Sequence, residues 1–424
     1  MTIINSLLNK LPPETREIAE MIWGSLAPAE RKTLLSWVSS MPTETTMLRT
    51  LLGLSANHLK QTFGQKHHVA IIGPANVGKS TLYNQMVDPK AEKARVSPVP
   101  GTTRENQSGD SGLFTIVDTP GADQAGTLGQ EEQETAYSAA RSADFLIIMF
   151  DAIQGIKETD VNLYKEILSL GKPYITVLNK VDLVQKSEEK VRTSVAASLG
   201  IDPDQLISLS AKTGYNLSNI VTAIAVTEPA LVAALGQAFP EYRSKLAYRT
   251  IVNAASISAV IALMPLPVID FAPLLITQTT MVLGIARIYN YKINLKRARE
   301  LLVTFGVGFL GRTLFYELSK FGGIPGWMLS SAIAASTTVA MGYASIAWFE
   351  RGEKLTQQQM KEISKTISQK LLEAIKSIGK KKSNPKKLKS IIEDTLSAGN
   401  MIELKDTELG NPPQEPIDDG AYYE

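Results

Sequence analysis

The sequence predicts a doubly wound, mostly parallel α/β sheet in the middle of the chain, flanked by an N-terminal helical region and a C-terminal all-α domain. Three observations predict it: five short apolar runs between residues 67 and 209, helical spacing of apolar residues before them, and long uncharged stretches after residue 249. The runs are His67 to Ile72, Leu113 to Val117, Phe145 to Phe150, Tyr174 to Leu178 and Leu206 to Leu209. Each has strand length, and the first is the kind of β-branched run that suits a strand buried on both faces.

Each run leads into a polar loop, and the loops carry the chemistry. After the first comes Gly73-Pro-Ala-Asn76-Val77-Gly78-Lys79-Ser80-Thr81, followed by a helix over residues 80–86. Gly73 and Gly78 permit backbone angles that turn successive N–H groups toward one point, and the helix adds its positive dipole end there. This is a phosphate-binding loop, in which Lys79 neutralises the β- and γ-phosphates and the Ser80 hydroxyl ligates Mg²⁺. The Pro/Gly-rich stretch Pro98-Val-Pro-Gly101-Thr102-Thr103-Arg104 fits a loop better than a regular element, and Thr103 is placed there as the residue that closes over Mg²⁺ and the γ-phosphate. The second run ends in Asp118-Thr-Pro-Gly121, which sets a carboxylate beside the metal and a backbone N–H of Gly121 near the γ-phosphate.

The fourth and fifth runs build the other end of the site. Tyr174 to Leu178 runs into Asn179-Lys180-Val-Asp182. A carboxylate there accepts both N1–H and the exocyclic amine of guanine, whereas adenine leaves it desolvated and unpaired, so Asp182 selects GTP over ATP. Lys180 is expected along the base, with Asn179 tying this loop to the phosphate loop. Leu206 to Leu209 leads into Ser210-Ala211-Lys212-Thr-Gly214, where the Ala211 N–H is expected to meet the guanine oxygen.

With these residues the chain resembles the translation-factor-related (TRAFAC) P-loop GTPases, most closely their Era-like and TrmE-like branch, over residues 65–228. The resemblance rests on Gly73 to Ser80, Gly101 to Arg104, Asp118 to Gly121, Asn179 to Asp182 and Ser210 to Lys212. It implies a nucleotide lying across the carboxyl edge of the sheet, as ligands do in open α/β folds. It also implies GTP hydrolysis with Mg²⁺ as cofactor. Many small GTPases place a water-orienting Gln directly after Asp-x-x-Gly; here that residue is Ala122, and Gln124 lies two residues further on. Some Era-like relatives with an Asn at the position of Asn76 use it to hold K⁺. Asn76 is therefore either a K⁺ ligand or a residue that tightens its loop. Arg104 is either a source of charge at the transition state or a solvated contact. The expectation is slow intrinsic hydrolysis, accelerated when K⁺ and a second copy of the domain complete the site.

Composition bounds the rest. The 424 residues carry 44 Lys and Arg against 42 Asp and Glu, a net charge of +2, which argues against a nucleic acid partner, and no basic-aromatic module follows the central domain. There is no Cys and there are three His, excluding disulfides and thiolate zinc sites; His58, His67 and His68 lack metal-ligand spacing. The organisation reads as an N-terminal helical region over 1–63, the α/β domain over 64–230, an apolar helical domain over 231–350, an amphipathic and basic helical segment over 351–400, and a disordered acidic tail over 401–424. In the first region two or three helices are expected, with Ile18, Met21, Ile22, Leu34, Leu35, Trp37 and Val38 buried and Pro residues near helix starts. The first ten residues lack a secretory signal pattern, which predicts a cytoplasmic N-terminus.

Residues 250–269 carry no charge, Asp270 interrupts, and 271–286 are again uncharged. Such a pair predicts a membrane hairpin or re-entrant segment, with basic residues on both flanks holding both ends at the cytoplasmic face. A third uncharged stretch, 321–349, is long enough to span but rich in small residues, which pack equally well in a membrane or in a bundle. The number of crossings stays open. The region 240–350 also resembles a bacterial domain family of uncharacterised function that follows Era-like GTPase domains and is associated with membranes, carried by Pro265-Leu-Pro267, Asp270, Gln278 and Ala286-Arg287. This predicts contact with a lipid membrane through residues 250–349 and a homo-oligomer or GTP-dependent dimer. Residues 351–377 read as one amphipathic helix with Met360, Ile363, Ile367, Leu371 and Ile375 on one stripe. The function expected is a membrane-associated GTPase acting as a nucleotide-controlled switch or assembly device. A dynamin-like remodelling scaffold and a regulator of a membrane transporter are the alternatives, with an RNA-directed GTPase behind them.

Overall fold

The computed structural model describes residues 9, 13–26, 28–39, 46–86, 112–118, 137–263, 272–291, 293–304, 324–377 and 384–398. The chain forms two compact units, one of residues 64–246 and one of residues 1–63 together with 247–424.

Among the described residues the first elements are three helices, α1 (Pro13–Ser25), α2 (Pro28–Ser39) and α3 (Thr46–Phe63). Two begin on proline, whose fixed φ and missing N–H suit a first turn. In α1 the inward stripe contains the half-buried Ile18 and the buried Ile22, and it continues to Leu26 just beyond the helix. Met21, expected inside, is 55% exposed because it sits about 100° around the helix from Ile22. Leu34 and Leu35 are half-buried; the side chains of Trp37 and Val38 lie outside the described residues.

Among the described residues of the unit 64–246 there are five strands, β1 (Val69–Gly73), β2 (Phe114–Asp118), β3 (Phe145–Asp151), β4 (Tyr174–Asn179) and β5 (Leu206–Ser208), all parallel in the order β2-β1-β3-β4-β5. Every residue of β1 and β3 is buried, as a sheet covered on both faces requires. Helices α4 (Lys79–Met86), α5 (Glu158–Ser169), α6 (Glu188–Leu199) and α7 (Leu217–Thr227) lie between or after the strands, and the short α8 (Val232–Ala238) follows. One core layer joins Ile72, Ile148 and Phe150 to Tyr164 and Ile167 of α5 and Val195 of α6. Tyr164 stands edge-on to Phe150 with centroids 5.9 Å apart. The chain leaves β1 toward β2 on one side and returns to β3 on the other. The carboxyl ends of β1 and β3 therefore flank the point where winding reverses, where open α/β sheets bind ligands. His67 and His68 lead into β1, and both backbone N–H groups donate to Asp144.

The second unit groups α1 to α3 with α9 (Arg243–Ile261, divided between the units), α10 (Ala272–Ile288), α11 (Leu295–Thr304), α12 (Gly326–Arg351), α13 (Gln357–Lys376) and α14 (Pro385–Ala398). Helix α12 is its centre. It packs against α10 and α13 and is buried from Met328 to Phe349 save a few residues. An apolar helix with no polar face has to be enclosed in this way or by lipid. Amphipathic α13 supplies cover: Met360, Ile363, Ile367, Leu371 and Ile375 are all buried, as their spacing predicts. That helix does not begin at 351, however. Gly352, at φ 71°, caps α12 in the left-handed conformation, and Thr356 starts α13 with a capping box to Gln359. Close packing also reaches α9: a Cβ on Gly342 would collide with the Ile251 side chain.

The uncharged stretches expected at a membrane fall in α9, α10 and α12. Among the described residues one helix, α12, is long and apolar enough to span a bilayer, and 94% of its apolar window is buried inside the unit. The first limb of the expected hairpin is instead α9, which starts at charged Arg243 and ends at Ile261; the second is α10, short for a crossing. Pro265, Pro267 and Asp270 lie outside the described residues, as do 305–323 and the tail after 398.

A polar layer crosses this otherwise apolar unit. Gln278 Nε2 of α10 donates to Thr338 Oγ1 of α12 at 3.1 Å, and Thr338 lies 2.9 Å from Ser258 Oγ of α9. His58 of α3 is fully buried, with Nε2 2.9 Å from Thr280 Oγ1 and 3.3 Å from the Thr277 carbonyl. The carbonyl only accepts, so Nε2 carries the proton. Nδ1 has no hydrogen-bond partner among the described residues. Burial lowers the imidazole to about 4 from its usual 6.5. The folded state then stays neutral down to about pH 4, while the unfolded chain protonates below about 6.5. Stability of this unit should fall as pH drops through that window, by about 3 kcal/mol, with no further loss from this group below it. In His58→Leu the Thr277 carbonyl keeps the Thr280 hydroxyl as partner. Denaturation midpoints at pH 7 and 4.5 should converge in that variant relative to the parent.

Candidate nucleotide site

The loop from Gly73 to Ser80 joins β1 to α4. Gly73 has to be glycine, since a Cβ there would collide with the Met149 carbonyl oxygen of β3. Gly78 is left-handed at φ 98°, and a Cβ on it would strike the Asn179 amide. Asn76 is exposed and also left-handed, φ 66°, a conformation that Asn tolerates better than most residues. Lys79 is 4% exposed, and its ammonium donates to the carbonyls of Gly73 and Pro74, both at 2.7 Å. It is thereby held under the loop by the loop's own backbone. Ser80 and Thr81 occupy the first turn of α4, half-buried. Asp118 ends β2 in register with Gly73, which brings its backbone beside the loop. The Asp118 side chain lies outside the described residues, as do Thr103, Arg104, Gly121, Ala122 and Gln124.

The base end is built on β4 and β5. Asn179, 2% exposed, ends β4; its Nδ2 donates to the Val77 carbonyl at 2.8 Å and its Oδ1 accepts the Ala211 N–H at 2.9 Å. One amide thus binds the phosphate loop to the loop after β5, as expected for the first contact. The second was not expected: the Ala211 N–H, assigned from the sequence to the guanine oxygen, donates to Asn179 here, and both groups are buried and need a partner. Lys180 is left-handed at φ 64°, and its Nζ lies 2.6 Å from both the Asn76 carbonyl and Asp151 Oδ2. Asp182 is half-buried in the turn Val181–Leu183, and among the described residues its carboxylate has no hydrogen bond or ion pair. Ser210 is fully buried and its hydroxyl accepts the Thr213 N–H at 3.3 Å, folding the loop back on itself; Lys212 is exposed.

Sequence reasoning missed Asp151. It is 4% exposed, ends β3 and is the only carboxylate among the described residues that pairs with Lys180. The available signal was a lone Asp closing the fully apolar run Phe145 to Phe150.

Mg²⁺ fits what is described. The ion needs few protein oxygens because phosphates and water fill most of its shell, and the Ser80 hydroxyl in the first turn of α4 is an oxygen donor of the right kind. Among the described residues there is no cluster of three His, Cys, Asp or Glu that would hold a metal by protein ligands alone.

Residues 68–180 match the family described as 50S ribosome-binding GTPase. The central unit is a P-loop GTPase domain. Residues 229–376 match a second family, a domain of unknown function designated DUF697. GTPase Der of Clostridium botulinum (strain Loch Maree / Type A3) is 31% identical over 169 residues, covering 37% of this chain and 38% of that one. GTPase Der of Nitrobacter hamburgensis is 36% identical over 162 residues, covering 37% and 34%. The chain thus spans between a third and two-fifths of the length of these curated relatives. Among solved structures, a point variant of Aquifex aeolicus Era bound to GDP and AlF4⁻ is 27% identical with a TM-score of 0.32, over 45% of this chain and 66% of that one.

Within this GTPase domain Asn179 is the joint between the phosphate and base ends. In Asn179→Ala the buried Val77 carbonyl and Ala211 N–H both lose their partner. Each unpaired buried group costs about 1–3 kcal/mol, so the variant should unfold at lower denaturant and bind GDP at least about tenfold more weakly in a calorimetric titration.

Proposed function

We propose that the chain binds GTP and hydrolyses it to GDP and phosphate, acting as a nucleotide-controlled switch or assembly device. The observation that carries the reading is Asp182, a half-buried carboxylate without a protein partner among the described residues, set on the same loop as Asn179 and Lys180. A purine packed against it would displace its water, and guanine offers two adjacent N–H donors in exchange where adenine offers none in that arrangement. The phosphate end supports it. Lys79 moves its ammonium from the Gly73 and Pro74 carbonyls to phosphate oxygens, and the α4 N-terminus presents backbone N–H groups to the same anion. Ser80, Asp118 and Thr103 would hold Mg²⁺, which neutralises charge on the β- and γ-phosphates. Calorimetry should give GTP and GDP binding with ATP at least about 1,000-fold weaker, and Asp182→Asn should remove most of the preference. Equal affinity for both purines, or none, would overturn the proposal.

Hydrolysis needs an in-line water held in place. Position 122 is Ala and has no group to hold it, which supports slow intrinsic turnover. Asn76 is exposed on the phosphate loop and its carbonyl is held by Lys180, which supports a reading in which it takes K⁺ as a second charge when two copies meet. Turnover should then be faster in KCl than in NaCl and rise with protein concentration; identical rates would remove K⁺ and the dimer from the account.

A membrane-associated switch at the cytoplasmic face is favoured by one observation, that α12 has the length and apolarity of a span. Its burial among α10 and α13 accounts for the same apolarity without lipid, so α12 would reach a bilayer only if the bundle opened. Carbonate extraction of membranes should leave the protein in the pellet, and complete release would refute attachment. The family description names the 50S ribosome, so the composition-based expectation against a nucleic acid partner has no support from the comparisons.

A further inference from the structure

Asp151 stands at the most connected point of the nucleotide site and has no part in the motifs that define it. It ends β3, beside β1, where the winding of the sheet reverses. Its Oδ1 accepts the Ile153 and Gln154 N–H groups at 2.5 and 3.1 Å, which closes the turn after the strand. Its Oδ2 pairs with Lys180 Nζ at 2.6 Å, and the same ammonium donates to the Asn76 carbonyl, also at 2.6 Å. The next residue, Ala152, donates its N–H to the Asn179 carbonyl at 3.0 Å. One carboxylate therefore links the end of β3, the base loop and the phosphate loop.

The burial of the two partners is unequal. The Asp151 side chain is 2% exposed and that of Lys180 is 30% exposed. A carboxylate so buried needs its counter-charge far more than the lysine does. A free lysine chain samples many rotamers, and that freedom is lost when it is fixed. Here the lysine is already fixed, at both the carboxylate and Asn76, and its backbone is fixed too, in the left-handed region.

We propose that Asp151 is a positioning residue for guanine-nucleotide binding: by clamping Lys180 against the phosphate loop it sets the lysine stem along the base and makes the base and phosphate loops one unit. The inference rests on the reading that this chain binds guanine nucleotides. Asp151 touches no part of the nucleotide itself and acts through Lys180 alone. Because the base is common to GTP and GDP, the clamp acts on both alike, and it acts on affinity rather than on the chemical step.

Asp151→Asn is the informative variant. The amide oxygen keeps both turn hydrogen bonds, while the new NH2 faces the ammonium of Lys180. GDP and GTP affinity should fall together by about tenfold, equivalent to about 1.4 kcal/mol, with KM rising and kcat within about twofold. In a Lys180→Met background the same change should alter affinity by less than twofold, since the only route to the nucleotide is gone. Unchanged affinity in Asp151→Asn, or the full tenfold loss in both backgrounds, would overturn the assignment. Asp151→Ser, which also keeps a turn acceptor, replaces Asn if circular dichroism shows that variant unfolded. Failure of both to fold would count against the proposal, because the carboxylate would then be needed for the turn. If the parent protein bound no GDP in the same titration, the underlying reading of the site would fail instead.

Discussion

The site depends on one buried amide. A parallel sheet orders its strands by hydrogen bonds but leaves the loops at its carboxyl edge without partners, so a pocket made of several such loops needs side chains to fix their spacing. Asn179 does this with both ends of its amide, donating to the phosphate loop at Val77 and accepting from the loop after β5 at Ala211. An aspartate in its place would lose the donor, and a longer glutamine would not fit beside Gly78, where even a Cβ meets the Asn179 nitrogen. The requirement for glycine at 78 and asparagine at 179 is thus a single packing constraint seen from two sides.

Much of this was legible beforehand, for a physical reason. Strands buried on both faces have to be continuous apolar runs, so Ile71, Ile147 and Val177 announce themselves by composition, and the observed strands differ from the runs by one or two residues at their ends. The loops were legible because phosphate and guanine chemistry admits few residue types at fixed spacings. What could not be read depends on contacts between segments distant in sequence. Asp151 has the sequence signature of any strand-ending aspartate, and only its 2.6 Å approach to Lys180 distinguishes it. The bond from the Ala211 N–H to Asn179 has no signature in sequence and is visible only in the geometry. Met21 was misplaced because a short amphipathic helix permits two neighbouring stripes, and which one faces inward is settled by the helix it packs against.

The helical unit shows the limit of hydropathy more sharply. Hydropathy measures transfer out of water and is silent about whether protein or lipid receives the side chain. Within α12 the hydroxyls of Ser336, Thr337, Thr338 and Ser345 donate to carbonyls three or four residues earlier in the same helix, which satisfies them in either medium. The contacts that belong to protein packing are those between helices: Ser336 with Ser368 of α13, Thr338 with Ser258 of α9, and Gly342 against Ile251. Such pairs are specific in a way that lipid tails are not, and they place α12 at one depth and one rotation in the bundle.

Electrostatics joins the two halves of the GTPase domain through the same economy of partners. Asp151 is too buried to stand alone, Lys180 is its counter-charge, and the second contact of Lys180 is the Asn76 carbonyl on the phosphate loop. Movement of the base loop therefore drags Asn76 with it, and movement of the phosphate loop strains the pair in return. A left-handed Asn76 facing a left-handed Lys180 leaves little slack on either side, since neither backbone can relax without breaking the ammonium's contacts. Whatever binds at one end of this pocket is thus felt at the other through a single ammonium group, and the cost of ordering that group is met when the domain folds, before a nucleotide arrives.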